Sequence, residues 1–347
     1  MPKTEAARQE LARQIAADGE KLLAAIAAAK DQAWLAQVPA VVTLRRVWAE
    51  QYVGSPGQLS FREVKDMPSP AELIASPYDP EARYSSKRDI EWVGYKVHLT
   101  ETREEELPHL IVNVETTPAA TPDENMLPVI HESLKERDLL PNEHLVDKGY
   151  TDARILVESK RAYGVDVVGP VAADPSWQAR AANGFDKGNF QVDWEREVVT
   201  CPAGKESISW LPNTYPQNGV AFEARFSRKD CTPCPFRSQC TKSKEEPRII
   251  GLQVREQHEA LQEARQRQTT EEFRAQYAPR AGIEGTHEQG IRRCGLRRCR
   301  YLGSAKAHLQ HLLTATAINL VRLSEWWDDQ PVASTRCSRF AALAQAA

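Results

Sequence analysis

The 347-residue sequence predicts an α/β fold in which a mixed sheet is flanked by helices. Two β-rich segments, residues 92–99 and 109–116, follow each other across a charged turn, as in an antiparallel pair. A helical pattern, a short apolar strand at 144–147, a second helix and an apolar run at 165–170 come next. This order of strand, strand, helix, strand, helix and strand implies a mixed sheet covered by helices.

The first 75 residues predict a helical N-terminal segment. Between Glu5 and Lys30, apolar residues recur every three to four positions among alanines and charges, which is typical of an amphipathic helix. A second helical stretch extends from Val42 to Tyr52. The Pro- and Ser-rich residues 54–80 predict a connector with one short helix at 71–75. The expected role of these elements is packing.

Composition argues against membrane and secreted proteins. No stretch approaches the roughly 20 apolar residues that cross a bilayer, and the N-terminus leads into charged residues rather than a signal sequence. We therefore expect a soluble, cytoplasmic protein with no membrane partner. The formal net charge is only -3, so any surface that binds nucleic acid must be local. The length allows roughly two to three domains and the core of an enzyme.

The stretch 144–153 is the one around which the other signals are organised. Its apolar beginning suits a buried strand that ends at Asp147, and Gly149 suits a turn with a positive φ. Asp147 would then lie at the carboxyl end of a strand, where open α/β sheets place their chemistry. The alternative is that Asp147 only caps the helix that starts near Thr151.

Residues 172–250 lose the helical period and predict a small, mainly β insertion rich in cysteine. Four of the seven cysteines of the chain lie here: Cys201, Cys231, Cys234 and Cys240. A Cys-x-x-Cys turn with two more cysteines on neighbouring loops can complete a closed tetrahedral Zn²⁺ site. Reduced core cysteines and redox chemistry are the alternatives. Neighbouring basic residues would lower the pKa of the thiols: Lys229, Arg237, Lys242 and Lys244.

Helices return in residues 251–327, before an Ala- and Ser-rich tail at 328–347. The predicted helices are Glu256 to Arg280, Ile283 to about Arg293, and Ser304 to Trp327. Arg280 and Glu284 are four residues apart and would share a helix face. The densest basic run of the chain follows: Arg292, Arg293, Arg297, Arg298 and Arg300. The alternative is an ordinary surface ion pair beside a solvated basic face.

Two motifs in this order resemble bacterial insertion-sequence transposases of the DDE class. The block Asp147-Lys148-Gly149-Tyr150 is similar to their Asp-x-Gly-Tyr block. Tyr277, Arg280 and Glu284 are similar to their Tyr-x-x-Arg-x-x-x-Glu signature, which normally ends in a basic residue, with Arg292 as the nearest candidate.

Further blocks resemble the insertion sequence 1182 family in particular. They are the strand 94–99, the run 114–119, the cysteine insertion and residues 295–303. The resemblance extends from about Arg8 to Leu323, and the blocks occur in the same order as in the family.

The resemblance implies an RNase H-like catalytic core, built from residues 76–171 and 251–327, that binds two Mg²⁺ or Mn²⁺ ions. Such a metal pair can activate water or a 3′-hydroxyl for phosphodiester displacement. Asp147 would be the second aspartate and Glu284 the glutamate. Arginines would contact DNA phosphates: Arg280, Arg292, Arg293, Arg297 and Arg298. The implied partners are transposon-end and target DNA at the nucleoid and further copies of the chain, as a homo-oligomer.

The first catalytic aspartate of the family has no matching motif ahead of Gly94. The family places it in an apolar strand with an Asp-Ser-Thr setting, which Asp66, Asp79 and Asp89 lack, and prolines flank Asp79. We therefore expect a truncated transposase that begins after the first catalytic strand and has little or no activity. The alternatives are a non-catalytic DNA-binding protein and a zinc-stabilised interaction protein, each derived from a transposase.

Overall fold

The structure, a computed structural model, describes residues 2–55, 57–104, 106–213 and 220–329. The chain divides into two compact units: unit 1 is Met1–Thr121 with Gly282–Ala347, and unit 2 is Pro122–Ala281. Both units contain helices and small sheets, so the predicted α/β class is confirmed. The predicted tail, residues 328–347, lies outside the described residues except for its first two positions.

Unit 1 begins with two helices, α1 (Glu5–Ala28) and α2 (Pro39–Gln51), which confirm the two predicted helices. A 3₁₀ helix, Lys30–Gln37, connects them. The two helices pack together, and the indole N–H of Trp48 donates a hydrogen bond to the carbonyl of Ala16 at 3.3 Å. The donor of a half-buried indole is thereby satisfied at a helix contact.

The connector after α2 has no helix at residues 71–75, so that prediction was wrong. These residues form turns, and Glu50, a buried acid on α2, accepts a hydrogen bond from the backbone N–H of Ile74 at 2.8 Å. Arg46 pairs with the other oxygen of the same carboxylate at 2.7 Å. A small hairpin of β1 (Tyr52–Val53) and β2 (Ser60–Phe61) precedes the turns.

The main sheet of unit 1 has three antiparallel strands: β3 (Arg83–Lys87), β4 (Ile90–Glu101) and β5 (Ile111–Pro118). β4 and β5 pair with Leu99 opposite Val114, which confirms the predicted antiparallel pair. β3 was not predicted as a strand.

Two helices complete unit 1, α10 (Gly282–Cys294) and α11 (Ser304–Trp327), close to their predicted bounds. The Asn319 side chain on α11 accepts from the N–H of Ile111 at 2.8 Å and donates to its carbonyl at 2.9 Å. The edge strand is thus tied to the helix by both backbone groups of one residue. The apolar core between them consists of Ile111, Val114, Ala315 and Ile318.

Unit 2 contains a parallel strand pair, β6 (Glu143–Leu145) and β7 (Asp166–Val168), connected by α4 (Ala153–Tyr163). This confirms the predicted strand, helix and strand, since parallel strands need a crossover connection. Helix α3 (Leu127–Lys135) precedes them. Their shared core consists of Leu127, Val146, Ile155 and Val167. The single mixed sheet stays a prediction, because each unit has its own hydrogen-bonded strands.

The cysteine-rich part of unit 2 contains short strands and short helices, and its predicted status as a separate insertion stays a prediction. It comprises α5 (Trp177–Ala181), β8 (Gln191–Asp193), β9 (Val198–Thr200), β10 (Ser209–Pro212), β11 (Phe222–Arg225), α6 (Arg228–Cys231), α7 (Arg237–Cys240) and β12 (Ile249–Leu252). β8 pairs with β9, and β10, β11 and β12 form an antiparallel sheet. Its buried core consists of Phe190, Val199, Ala224, Phe226, Ile250 and Leu252.

The single helix predicted over 256–280 is wrong, because two helices occupy this region: α8 (Arg255–Arg267) and α9 (Glu271–Tyr277). Thr270 separates them. Its hydroxyl donates to the carbonyl of Arg267 at 2.9 Å and accepts from the N–H of Phe273 at 3.1 Å, so it ends one helix and caps the next. Over the described part of the chain, none of the helices has the length and apolar character of a bilayer span.

Candidate functional site

Asp147 lies just beyond the carboxyl end of β6, as the sequence predicts. The backbone N–H of Val146 donates to the carbonyl of Val168 at 2.9 Å, so pairing with β7 continues up to the residue before Asp147. Val146 is buried, whereas the side chain of Asp147 is 49% exposed. The carboxylate is therefore accessible at the end of a parallel strand pair, where α/β proteins commonly place their sites.

The helix-cap alternative for Asp147 is wrong for α4. Asp152 caps α4, since its Oδ1 accepts a hydrogen bond from the backbone N–H of Ile155 at 2.7 Å. Asp147 instead accepts a hydrogen bond from the adjacent N–H of Lys148 at 2.8 Å, at the start of the short 3₁₀ turn Lys148–Tyr150. Capping of α4 is thus the role of Asp152 and not of Asp147.

Arg280 lies beside Asp147, with 3.6 Å between Nη2 of Arg280 and Oδ2 of Asp147. It belongs to the 3₁₀ turn Ala278–Ala281 and is 21% exposed. Burial raises the pKa of the Tyr150 hydroxyl, the carboxylates of Asp123 and Asp147 raise it further, and Arg280 opposes them. Two carboxylates, a phenol and a guanidinium therefore share one electrostatic environment.

Asp123 also belongs to this environment. From the sequence, it was predicted only to lie at the start of a helix. Its Oδ2 lies 3.0 Å from the position that a Cβ on Gly149 would occupy. The φ of Gly149 is outside the left-handed region, so the predicted positive φ was wrong, and the feature of this glycine is instead its close approach to the Asp123 carboxylate. An acidic residue near a helix start is common, so the sequence carried no signal for this contact.

Glu284 is exposed in the first turn of α10. The prediction that Arg280 and Glu284 share the face of one helix was wrong. Arg280 belongs to the preceding 3₁₀ turn, where Pro279 supplies no backbone N–H, and α10 begins only at Gly282.

A buried polar network fixes α10 within unit 1. Thr286 on α10 donates to Oε2 of Glu101 at 2.6 Å, and Arg322 on α11 donates to the same oxygen at 2.9 Å. Arg322 also donates to the hydroxyl of Thr286 at 2.5 Å. The ion pair of Glu101 and Arg322 is nearly buried, and removing one partner of such a pair costs about 3–5 kcal/mol. The turn that carries Glu284 is therefore rigidly held on its own unit.

The predicted phosphate-contacting arginines of unit 1 are exposed. We call Arg292, Arg293, Arg297 and Arg298 the basic segment, which extends from the end of α10 into the following loop. Arg292 donates to Glu288 one helical turn earlier. Exposed guanidinium groups are accessible to phosphate oxygens of a nucleic-acid backbone.

Asp79, one of the three aspartates ahead of Gly94 that were considered for the first catalytic position, is buried and its carboxylate is used in structural hydrogen bonds. Its Oδ1 accepts from the hydroxyl of Tyr95 at 2.8 Å and from two backbone N–H groups at 3.3 Å. Its Oδ2 accepts from the N–H of Gly303, the residue before α11, at 3.0 Å. The carboxylate fixes the start of a helix and has no accessible face for a metal.

The four predicted metal-binding cysteines line one cavity in unit 2: Cys201, Cys231, Cys234 and Cys240. All four are free thiols of intermediate exposure. Within the described residues, no three His, Cys, Asp or Glu side chains are close enough together to hold a metal ion as they stand. The structure therefore brings the cysteines to one place without the geometry of a closed site.

The predicted lowering of the thiol pKa is wrong for Cys240. Burial raises the pKa of this thiol, and the other three cysteines raise it further. Arg248, which the sequence reasoning did not single out, is the basic residue that opposes the shift. Burial thus outweighs the opposing charge of Arg248 at this thiol.

Residues 200–324 match the family model of the transposase DDE domain. The match supports a DDE transposase. It covers less than half of the chain, begins one residue before Cys201 and includes Arg280, Glu284 and the basic segment, but it does not reach Asp147. Comparisons with curated proteins and with solved structures found no match.

Proposed function

We propose that the chain is the core of a DDE transposase of the insertion sequence 1182 family, with an RNase H-like catalytic fold. It would act on DNA by cutting phosphodiester bonds and joining strands. The match of residues 200–324 to the transposase DDE domain carries the proposal, because this region contains Arg280 and Glu284 at the predicted spacing.

In this proposal Asp147 and Glu284 supply carboxylate oxygens to Mg²⁺ or Mn²⁺. Both residues fit that role, since the Asp147 carboxylate is half-exposed at a strand end and Glu284 is exposed on a fixed helix. Hard divalent cations prefer such oxygen ligands. When bound, a metal pair supplies activation of a water or 3′-hydroxyl and stabilisation of the leaving oxygen.

Arg280 and the basic segment would bind DNA phosphate. The side chain of Arg280 is 21% exposed beside Asp147, so its guanidinium N–H groups would donate hydrogen bonds to a phosphate oxygen near this carboxylate. The exposed arginines of the basic segment would position the duplex without reading its sequence. We further propose that the chain acts as a homo-oligomer on transposon-end and target DNA at the nucleoid.

We propose that the polypeptide alone has weak or no transposition activity. The chemistry of the family uses three carboxylates, and Asp79 is held by four hydrogen-bond donors. Loss of one ligand weakens metal binding and misplaces the reacting groups. The zinc predicted at the cysteines is a separate proposal.

Nicking of supercoiled plasmid DNA in Mn²⁺ tests the proposed function. We expect slow, metal-dependent nicking that falls to background in Asp147→Asn and in Glu284→Gln. Glu136→Gln is the matched control, because Glu136 is an exposed acid at the end of α3 in the same unit as Asp147. Nicking that is equal in all four proteins would contradict the assignment.

A non-catalytic DNA-binding protein is the second candidate, and the exposed basic segment favours it. It predicts DNA binding that weakens with salt but no nicking in either metal. Fast nicking by the isolated chain would contradict both this alternative and the proposed weak activity.

A further inference from the structure

We propose that Cys201, Cys231, Cys234 and Cys240 bind one Zn²⁺ ion as a tetrathiolate, and that Arg237 and Arg248 stabilise the thiolates by hydrogen bonding and charge. This structural site is distinct from the acidic site, and its occupancy does not depend on whether the chain cuts DNA.

The fold brings the four thiols to one small cavity from three separate places in the sequence. Cys201 follows β9, Cys231 ends α6, and Cys240 ends α7. All three pack against the buried core of the cysteine-rich part, and Cys234 lines the same cavity. The thiols are reduced, so the arrangement is not explained by disulfides.

The turn at Cys201 has a feature of metal-binding loops. The backbone N–H of Lys205 donates to the Cys201 sulfur at 3.3 Å, and the N–H of Gly204 donates to the Cys201 carbonyl at 2.8 Å. Gly204 has φ +76, a left-handed conformation that favours glycine and closes this turn. A backbone N–H aimed at sulfur stabilises a thiolate more than a thiol.

Two guanidinium groups at the same cavity have buried N–H atoms with nothing to bind. Within the described part of the chain, Nη1 of Arg237 and Nε of Arg248 are buried without a hydrogen-bond partner. Arg237 is held in place by Nη2, which donates to the carbonyls of Ser243 and Glu246 at 3.0 Å each. A buried, unsatisfied N–H of a charged group is costly, so such a pair of donors at one cavity indicates missing acceptors.

Four thiolates around Zn²⁺ satisfy both arginines. The tetrathiolate has a net charge of about −2, and the two guanidinium groups contribute about +2, so the assembled site is neutral. Thiolate sulfurs also accept hydrogen bonds, and partners of metal ligands typically change metal affinity by about 10–100-fold. Zn–S bonds of about 2.3 Å require the thiols to rotate toward a common centre, because they are further apart without the metal.

Metal analysis of the full chain tests the site. We expect one Zn²⁺ per chain after purification in excess Zn²⁺, and Co²⁺ substitution that gives the intense sulfur-to-cobalt charge-transfer absorption of a tetrathiolate. Cys201→Ser and Cys240→Ser should lose both signals. Cys294→Ser and Cys299→Ser are the matched controls, since these free cysteines lie outside the cavity and should keep them.

The role of the arginines is tested with Arg237→Met and Arg248→Met. Each should keep one metal per chain but weaken Zn²⁺ affinity by about 10–100-fold in competition with a chelator. Unchanged affinity in both would overturn the charge-balance part of the proposal. If a cysteine variant does not fold, titration of the wild-type chain with a thiol reagent decides. Four protected thiols that become reactive on chelation support the site, and seven reactive thiols with no bound metal overturn it.

Discussion

Asparagine replacements of Asp147 and Asp152 separate a functional carboxylate from a structural one. Both aspartates follow β6, and each accepts one backbone hydrogen bond, at 2.8 Å for Asp147 and 2.7 Å for Asp152. Asparagine keeps the accepting oxygen and removes the charge. The two variants therefore make the same chemical change at neighbouring positions.

The structure predicts small effects of both asparagines on stability. Asparagine caps a helix about as well as aspartate, so Asp152→Asn should change the free energy of unfolding by less than about 0.5 kcal/mol. Asp147→Asn also loses the ion pair with Arg280, but its carboxylate is half-exposed, and such pairs contribute about 0–1 kcal/mol. Alanine serves as the contrast, since Asp152→Ala loses the cap of α4 and should cost about 1 kcal/mol.

Urea unfolding and plasmid nicking in Mn²⁺ measure the two properties on the same preparations. We expect Asp147→Asn to lose nicking and keep stability. Asp152→Asn should keep both, and Asp152→Ala should lose stability and keep nicking. Loss of nicking in Asp152→Asn with full activity in Asp147→Asn would refute the assignment of roles.

Three further predictions follow from unit 2 and from the basic segment. Burial lowers the pKa of His131 to about 4, and burial with the nearby charge of His131 lowers that of His144 to about 3. The unfolded chain binds these protons at higher pH than the folded chain, so the free energy of unfolding should fall as pH drops below about 6.5, by about 2 kcal/mol at pH 5 for His131 alone. The loss should be smaller in His131→Phe. Urea unfolding at pH 7 and pH 5 measures this, and equal stability at both pH values would contradict it. Gly149→Ala should lower the free energy of unfolding by about 1 kcal/mol, because the new Cβ would lie 3.0 Å from Oδ2 of Asp123. The double variant with Asp123→Ala should recover most of this loss. Additive effects of the two substitutions in urea unfolding would contradict the contact. Neutralising two arginines of the basic segment should weaken duplex binding and make the slope of log affinity against log salt shallower by about 2, and an unchanged slope would exclude these arginines from the phosphate contacts.

Elements with strong local patterns could be predicted from the sequence. The β4 and β5 pair, the strand, helix and strand around Asp147, and α11 all combine a clear hydrophobic period with clear ends. The position of Asp147 at a strand end followed from the same signals. In each case the spacing of the apolar residues matches the face of the helix or strand that packs against the core.

Features that depend on distant contacts could not be predicted. The limited space at Gly149 comes from the approach of Asp123 on another element rather than from the φ of the glycine. The pKa of the Cys240 thiol is raised by burial, and nearby basic charge does not reverse this shift. These are consequences of tertiary packing, on which local sequence has little influence.

Mn²⁺ affinity of the wild-type chain and of three variants tests the proposed function most directly, namely the proposal that Asp147 and Glu284 both supply carboxylate ligands to the catalytic metal. Electron paramagnetic resonance of free Mn²⁺ gives the affinity of wild type, Asp147→Asn, Glu284→Gln and the double variant. We predict that each single variant loses most of the affinity and that the double variant loses little more, as expected for ligands of one site. Unchanged affinity in either single variant, or losses that simply add, would contradict a shared metal.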